Sequence, residues 1–200
     1  MLTRASLSAD FLEIINPVVP GAGTYTSSGG FLHSTDGTFA ISNTTIVGSR
    51  APVGGCFYLD GVTNATLYNV TVTDSRCTTQ GCWGGAMVPE GNSNLLIENS
   101  AFIGCEAPQG YGGAIDDGTE ANWVVINTRF ERNVATYGGA VYNFGTTVSR
   151  FIGCQFIDNK ADNNGGAIKP SSNTRVYVDG CLFQGNTGSS NGAVGPASDC

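Results

Sequence analysis

The residues best suited to chemistry in this sequence are carboxylates. Asp116 and Asp117 stand side by side directly after Gly112-Gly113-Ala114-Ile115, and Glu120 follows three residues later. Acidic side chains this close could ligate Ca²⁺ through oxygen, or share general acid and general base roles on a glycosidic bond. The plainer expectation is an acidic turn facing water, because the residues aligned with Asp116 in neighbouring units, Val88 and Tyr142, carry no carboxylate. A second pair, Asp60 and Glu90, falls five residues after successive glycine steps and would stand one unit apart. Like charges without a cation ordinarily face solvent.

Other residues support less chemistry. Arg50 and Arg76 align, and Arg76 would meet Glu106 in the next unit as a surface ion pair. His33 is the single histidine, which removes any His-rich metal centre and leaves a Ser-His-Asp arrangement without support. Trp83, Tyr111 and Tyr137 each precede a glycine step. They would either cover turns or form a ligand-facing ridge that stacks on sugar rings or packs on a protein. Cys77 and Cys82 flank a short loop and could close a local disulfide, while the total of 7 cysteines leaves at least one outside any internal pairing. Cys154 and Cys181 occupy the same inward position in successive units, as a disulfide or as two buried thiols.

The elements that must position these residues are set by an internal repeat. The second glycine of each step lies at Gly55, Gly85, Gly113, Gly139, Gly166 and Gly192, at intervals of 30, 28, 26, 27 and 26 residues. Ile46-x-x-Ser49, Val72-x-x-Ser75, Phe102-x-x-Cys105, Phe130-x-x-Asn133, Phe156-x-x-Asn159 and Phe183-x-x-Asn186 return with the same period. A repeat of this length suits a leucine-rich repeat or a parallel β-helix. No LxxLxLxxN series is present, and short alternating segments such as WVV at 123–125 and VYV at 176–178 read as strands.

Three strands per coil follow: one after Gly-Gly-Ala, one around Val124-Val125-Ile126, and one around Thr128-Arg129-Phe130-Glu131. The corner between the last two carries Asn43, Asn69, Asn99, Asn127, Gly153 and Gly180, residue types that tolerate left-handed backbone. Two interior rows are expected, Ile46, Val72, Phe102, Phe130, Phe156, Phe183 and Ile41, Leu67, Ile97, Val125, Phe151, Val178. Each coil buries its apolar face only against a neighbour. The expected fold is therefore all-β, a parallel β-helix solenoid of about six coils of 26–30 residues. Residues 1–30 read as an entry or capping segment, and 31–200 as β-helix repeats belonging to a longer chain.

The combined GGA-aliphatic and FxxN pattern resembles the repeats of chlamydial polymorphic membrane proteins across about residues 39–195. The resemblance implies a right-handed parallel β-helix, secretion or surface display, and in some members adhesion. Ser49 and Ser75 stand where the pattern has Asn.

Composition narrows the partners. The formal charge is −7 and the basic residues are scattered, which makes nucleic acid a poor partner. No apolar run is long enough to form a membrane-spanning segment. The 29 glycines follow no collagen period. The expected function is a secreted or cell-surface, adhesin-like structural segment contacting a polysaccharide or a surface protein. The alternative is a polysaccharide lyase or glycoside hydrolase of the pectin-lyase-like type, using Asp116, Asp117 and Glu120. No cofactor is expected beyond Ca²⁺ at the acidic residues.

Overall fold

The computed structural model describes residues 2–3, 6–10, 12–18, 28–62, 64–91, 93–118, 121–145 and 148–195. It is all-β, with parallel strands stacked into a solenoid. A first sheet of seven strands follows the glycine steps, including Leu32–Thr35, Phe57–Asp60, Met87–Glu90, Ile115–Asp117, Val141–Asn143 and Ile168–Pro170. A second, twelve-stranded sheet is folded along the Asn/Gly corner, and a third has five strands, among them Glu106–Tyr111 and Val134–Tyr137. About five turns carry all three sheets. The sixth glycine step contributes only single bridges such as Ile168 to Val194.

The third sheet is the feature the sequence reading missed. Its strands begin directly after FxxN, where the sequence offers only short, mixed stretches such as Val134-Ala135-Thr136-Tyr137. Leu2–Thr3, Ser6–Asp10 and Glu13–Ile15 are strands in register with the coil that follows, for example Leu2 beside Ser34 and Ser6 beside Thr38.

Both expected interior rows are present. Phe102, Phe130, Phe156 and Phe183 stack face to face at 5.4, 4.9 and 4.8 Å between successive ring centroids. Ile41, Leu67, Ile97, Val125, Phe151 and Val178 are direct register partners.

Beside the phenylalanines runs a ladder of buried amides. The Asn159 amide nitrogen donates to the Phe130 carbonyl and to Asn186 Oδ1, and Asn133 makes the same pair of bonds to Phe102 and Asn159. Each FxxN asparagine thus satisfies backbone left unpaired where the chain turns, which a buried turn requires.

At the other corner, Asn43, Asn69, Asn99 and Asn127 adopt φ of 46°, 53°, 50° and 48°, with Gly153 at 63° and Gly180 at 60°. Their side chains bond to one another along the outside, as Asn69 does to Asn43 Oδ1 at 2.7 Å. Apart from Val70, the following position carries an inward hydroxyl or thiol. Ser100 Oγ accepts from the Val70 N–H and donates to the Glu98 carbonyl, and Cys181 Sγ accepts from the Cys154 N–H.

The glycine steps bring coils together closely. Gly138 holds φ of 63°, and a Cβ on Gly139 would lie 2.1 Å from the Gly166 carbonyl oxygen of the next coil. That approach leaves no room for any side chain.

Candidate functional site

Along the first sheet, one row points to the outside of the solenoid: His33, Tyr58, Val88, Asp116, Tyr142 and Lys169. Outward side chains on a solenoid ordinarily meet water. Here Tyr58 is 3%, Val88 0%, Asp116 4%, Tyr142 7% and Lys169 0% exposed, so side chains of neighbouring elements wall this outer row. Part of the wall is aromatic. Tyr111 and Tyr137, register partners in the third sheet, stack at 5.3 Å with rings 12° from parallel. Tyr111 also meets the Tyr142 ring at 4.9 Å, and Tyr142 lies 6.4 Å from Phe144.

The expectation that Asp116 and Asp117 form a water-facing turn is overturned. Both lie in the strand Ile115–Asp117 and are buried. Successive strand residues face opposite ways, so Asp116 joins the walled outer row while Asp117, fully buried, turns to the interior beside Asn143. The two cannot converge on one ligand. Glu120 lies outside the described residues. Among the described residues, no group of three or more His, Cys, Asp or Glu side chains is gathered closely enough to hold a metal ion.

A different carboxylate joins Asp116. Met87 pairs with Ile115, and the Gly118 N–H donates to the Pro89 carbonyl, which sets Glu90 opposite Gly118 and diagonal to Asp116 on the same face. Glu90 leans onto that coil. A Cβ on Gly118 would lie 2.4 Å from Glu90 Cγ and 2.7 Å from Oε1. From the other side the Tyr58 hydroxyl donates to Glu90 Oε2 at 2.5 Å. Asp60 and Glu90 are direct register partners, as the alignment indicated. Burial, then the charges of Asp117 and Glu90, hold the Asp116 carboxyl well above the ordinary range, and among the described residues no cation or hydrogen-bond donor acts against them.

The remaining expectations fall as follows. Trp83 bridges to Tyr111 through the backbone, extending the Tyr111–Tyr137 line by one coil, and all three are half-buried. Arg76 and Glu106 form an exposed ion pair at 2.7 Å. His33 packs edge-on to Tyr58 at 4.9 Å, and burial lowers its pKa. Cys77 and Cys82 are bridged by a disulfide. Cys154 and Cys181 are separate thiols filling the Ser/Thr ladder position, and burial pushes Cys154 up to about 12.

Sequence reasoning missed Tyr58, Tyr142 and Lys169 as members of this walled outer row, along with the Glu90–Asp116 diagonal. A signal existed: Tyr58, Val88, Asp116, Tyr142 and Lys169 all lie three residues after the second glycine of a step.

Residues 153–169 match the Chlamydia polymorphic membrane protein repeat model. That stretch contains both Phe156-x-x-Asn159 and Gly165-Gly166-Ala167-Ile168, and in the structure it forms most of one complete turn. This stretch of one coil is thus similar to that repeat, and the neighbouring coils stack on it in parallel register. In this chain the FxxN asparagine and the double glycine are structural, and the residue three positions after the second glycine differs from coil to coil. The chain is also 27% identical over 161 residues to "Metabotropic glutamate receptor-like protein R" of Dictyostelium discoideum. That match covers 78% of this chain and 10% of the relative, so the chain spans about a tenth of that protein's length. No solved structure matches it significantly. Among the described residues, no helix is long and apolar enough to cross a membrane.

Proposed function

We propose that this chain is a secreted or cell-surface β-helix segment that contacts a glycan through the outer groove of its first sheet. The observation that carries the reading is the Tyr111–Tyr137 stack, set against Tyr142 and one register position from Asp116. Flat aromatic faces on successive coils beside buried acceptors suit a sugar ring, which presents C–H on its faces and hydroxyls on its rim. Surface placement is supported by the polymorphic-membrane-protein-like repeats, by the receptor-like name of the Dictyostelium relative, and by the Cys77–Cys82 disulfide, a bond favoured in oxidising compartments.

The test is retention on a glycan array, repeated with Tyr111→Ala and Tyr137→Ala. Each substitution is expected to weaken retention about 10-fold or more, the scale of a lost aromatic contact. Retention indifferent to both would remove the groove from the reading and leave a protein-contacting or purely structural segment. The lyase alternative on acidic polysaccharide is poorly supported. Uronate chemistry needs a cation against the sugar carboxylate, and the groove near Asp116 presents Glu90 and Asp60 instead.

A further inference from the structure

Asp116 is a carboxyl group that the scaffold does not use. It is 4% exposed, it sits on the outer face where it packs against no interior row, and the groups acting on it are burial and two like charges. A buried carboxyl placed like this destabilises the fold unless protonated, and a surface position could have carried any uncharged residue instead, as Val88 does one coil earlier. Its diagonal neighbour has the opposite character. Glu90 is only partly buried, one oxygen receives the Tyr58 hydroxyl at 2.5 Å, and the other rests against the bare Cα of Gly118. Burial favours the neutral acid form of Asp116, while the Tyr58 hydroxyl and the Gly118 backbone fix the position of the Glu90 carboxyl.

The separation also suits two roles. One strand spacing and two residues along the strand put the Cα atoms of Asp116 and Glu90 roughly 8 Å apart. Both side chains leave the same face, with the aromatic wall of Tyr111 and Tyr142 beside Asp116. A glycosidic oxygen lying over Asp116 would leave the anomeric carbon between the two carboxyls.

We propose that the groove hydrolyses glycosidic bonds of a neutral polysaccharide, with Asp116 as proton donor to the leaving oxygen and Glu90 as the base that activates water. This rests on the glycan-binding reading of the same groove. As the bond between the anomeric carbon and the glycosidic oxygen breaks, the Asp116 proton passes to that oxygen, and a water oxygen bonds to the carbon while its proton passes to Glu90. Loss of that proton from Glu90 to solvent and gain of one by Asp116 restore the starting state, so water is the only co-reactant. The neutral class follows from charge. Asp60 stands beside Glu90, and Lys169, two rungs beyond Asp116, is fully buried and donates to the Pro170 carbonyl, so no described cation near the pair faces an incoming uronate.

The experiment incubates the protein with soluble β-glucan, mannan, xyloglucan and a chitin hexamer, with polygalacturonate as the acidic comparison. Retention and released reducing ends are scored separately. At least one neutral probe is expected to be cleaved, and polygalacturonate is not. Asp116→Asn and Glu90→Gln should each lower release about 100-fold or more, a far larger loss than either causes in retention. Asp116→Asn should remove the alkaline limb of the pH–rate profile, which a merely structural role would not do. Tyr58→Phe keeps the fold and frees Glu90, and is expected to cost about 10-fold. Retention without reducing ends on any probe overturns hydrolysis and leaves the binding reading standing. Neither retention nor release overturns both, release unchanged in the two carboxyl variants overturns the assignment of roles, and cleavage of polygalacturonate alone overturns the substrate class.

Discussion

Two rows of side chains run along this solenoid under the same period and come out opposite in character. Inside, Phe102, Phe130, Phe156 and Phe183 repeat one residue type, and the asparagines beside them repeat one hydrogen-bond pattern. Outside, on the first sheet, Tyr58, Val88, Asp116, Tyr142 and Lys169 share a register position and a buried environment, yet no two neighbours are alike. Identical stacking is what a repeated cavity selects, since each ring must fit the ring above and below. A buried row whose chemistry changes at every step is not selected by packing between coils. The scaffold therefore holds one line fixed and leaves another variable, and the variable line is the place to look for function.

The comparison breaks most visibly if the interior row is cut. Phe130 is fully buried between Phe102 and Phe156. Phe130→Ala should cost about 3–5 kcal/mol, because the rigid ladders on either side prevent the cavity from collapsing. Urea unfolding monitored by circular dichroism would measure it. A loss under 1 kcal/mol would mean that the coils slide to refill the gap, and that the row is less fixed than its geometry indicates.

An effect of intermediate size separates the two rows by pH. Burial and the neighbouring charges of Asp117 and Glu90 raise the Asp116 pKa well above its ordinary value. Above the usual aspartate range the unfolded chain has released this proton and the folded chain has not, so stability falls as pH rises until the folded group also titrates. Asp116→Asn should abolish that fall. Melting temperatures from pH 4 to pH 8 should show the variant gaining on the wild type as pH rises, while Phe130→Ala runs parallel to the wild type throughout. Parallel curves for Asp116→Asn would mean that the carboxyl is already ionised in the fold at acid pH.

What the sequence made legible divides along the same line. The period, the two interior rows and the left-handed corners were all readable, because stacking forces each to recur with the same residue types. The third sheet was not, since strands such as Lys160–Ala161 are too short to show alternation. Nor was the walled outer row. Asp116 and Asp117 read as a water-facing turn because their aligned neighbours carry no carboxylate; the structure puts both in a buried strand, and the sheet that brings Tyr111 against Tyr142 beside it left no pattern to read. The Asp60–Glu90 register was readable, but its meaning depended on Gly118, whose missing side chain admits Glu90 to the next coil.

The smallest expected effect tests whether the corner asparagines belong with the fixed line. Gly153 has φ of 63° at a position where earlier coils place Asn at 46° to 53°. A Cβ there would approach Asn127 Oδ1 at 2.6 Å, the mobile end of a side chain that can give way. Gly153→Asn would set a new amide beside Asn127 Oδ1, as Asn69 is set beside Asn43, and should change stability by less than about 0.5 kcal/mol. Gly153→Val offers no amide and pays the full left-handed penalty, roughly 1–2 kcal/mol. If the urea midpoints of the two variants coincide, backbone conformation alone sets the corner, and the amide line on the outside contributes nothing. If Asn is tolerated and Val is not, the corner is a second repeated ladder, and the first-sheet groove stands alone as the buried row in which this repeat permits its residues to differ.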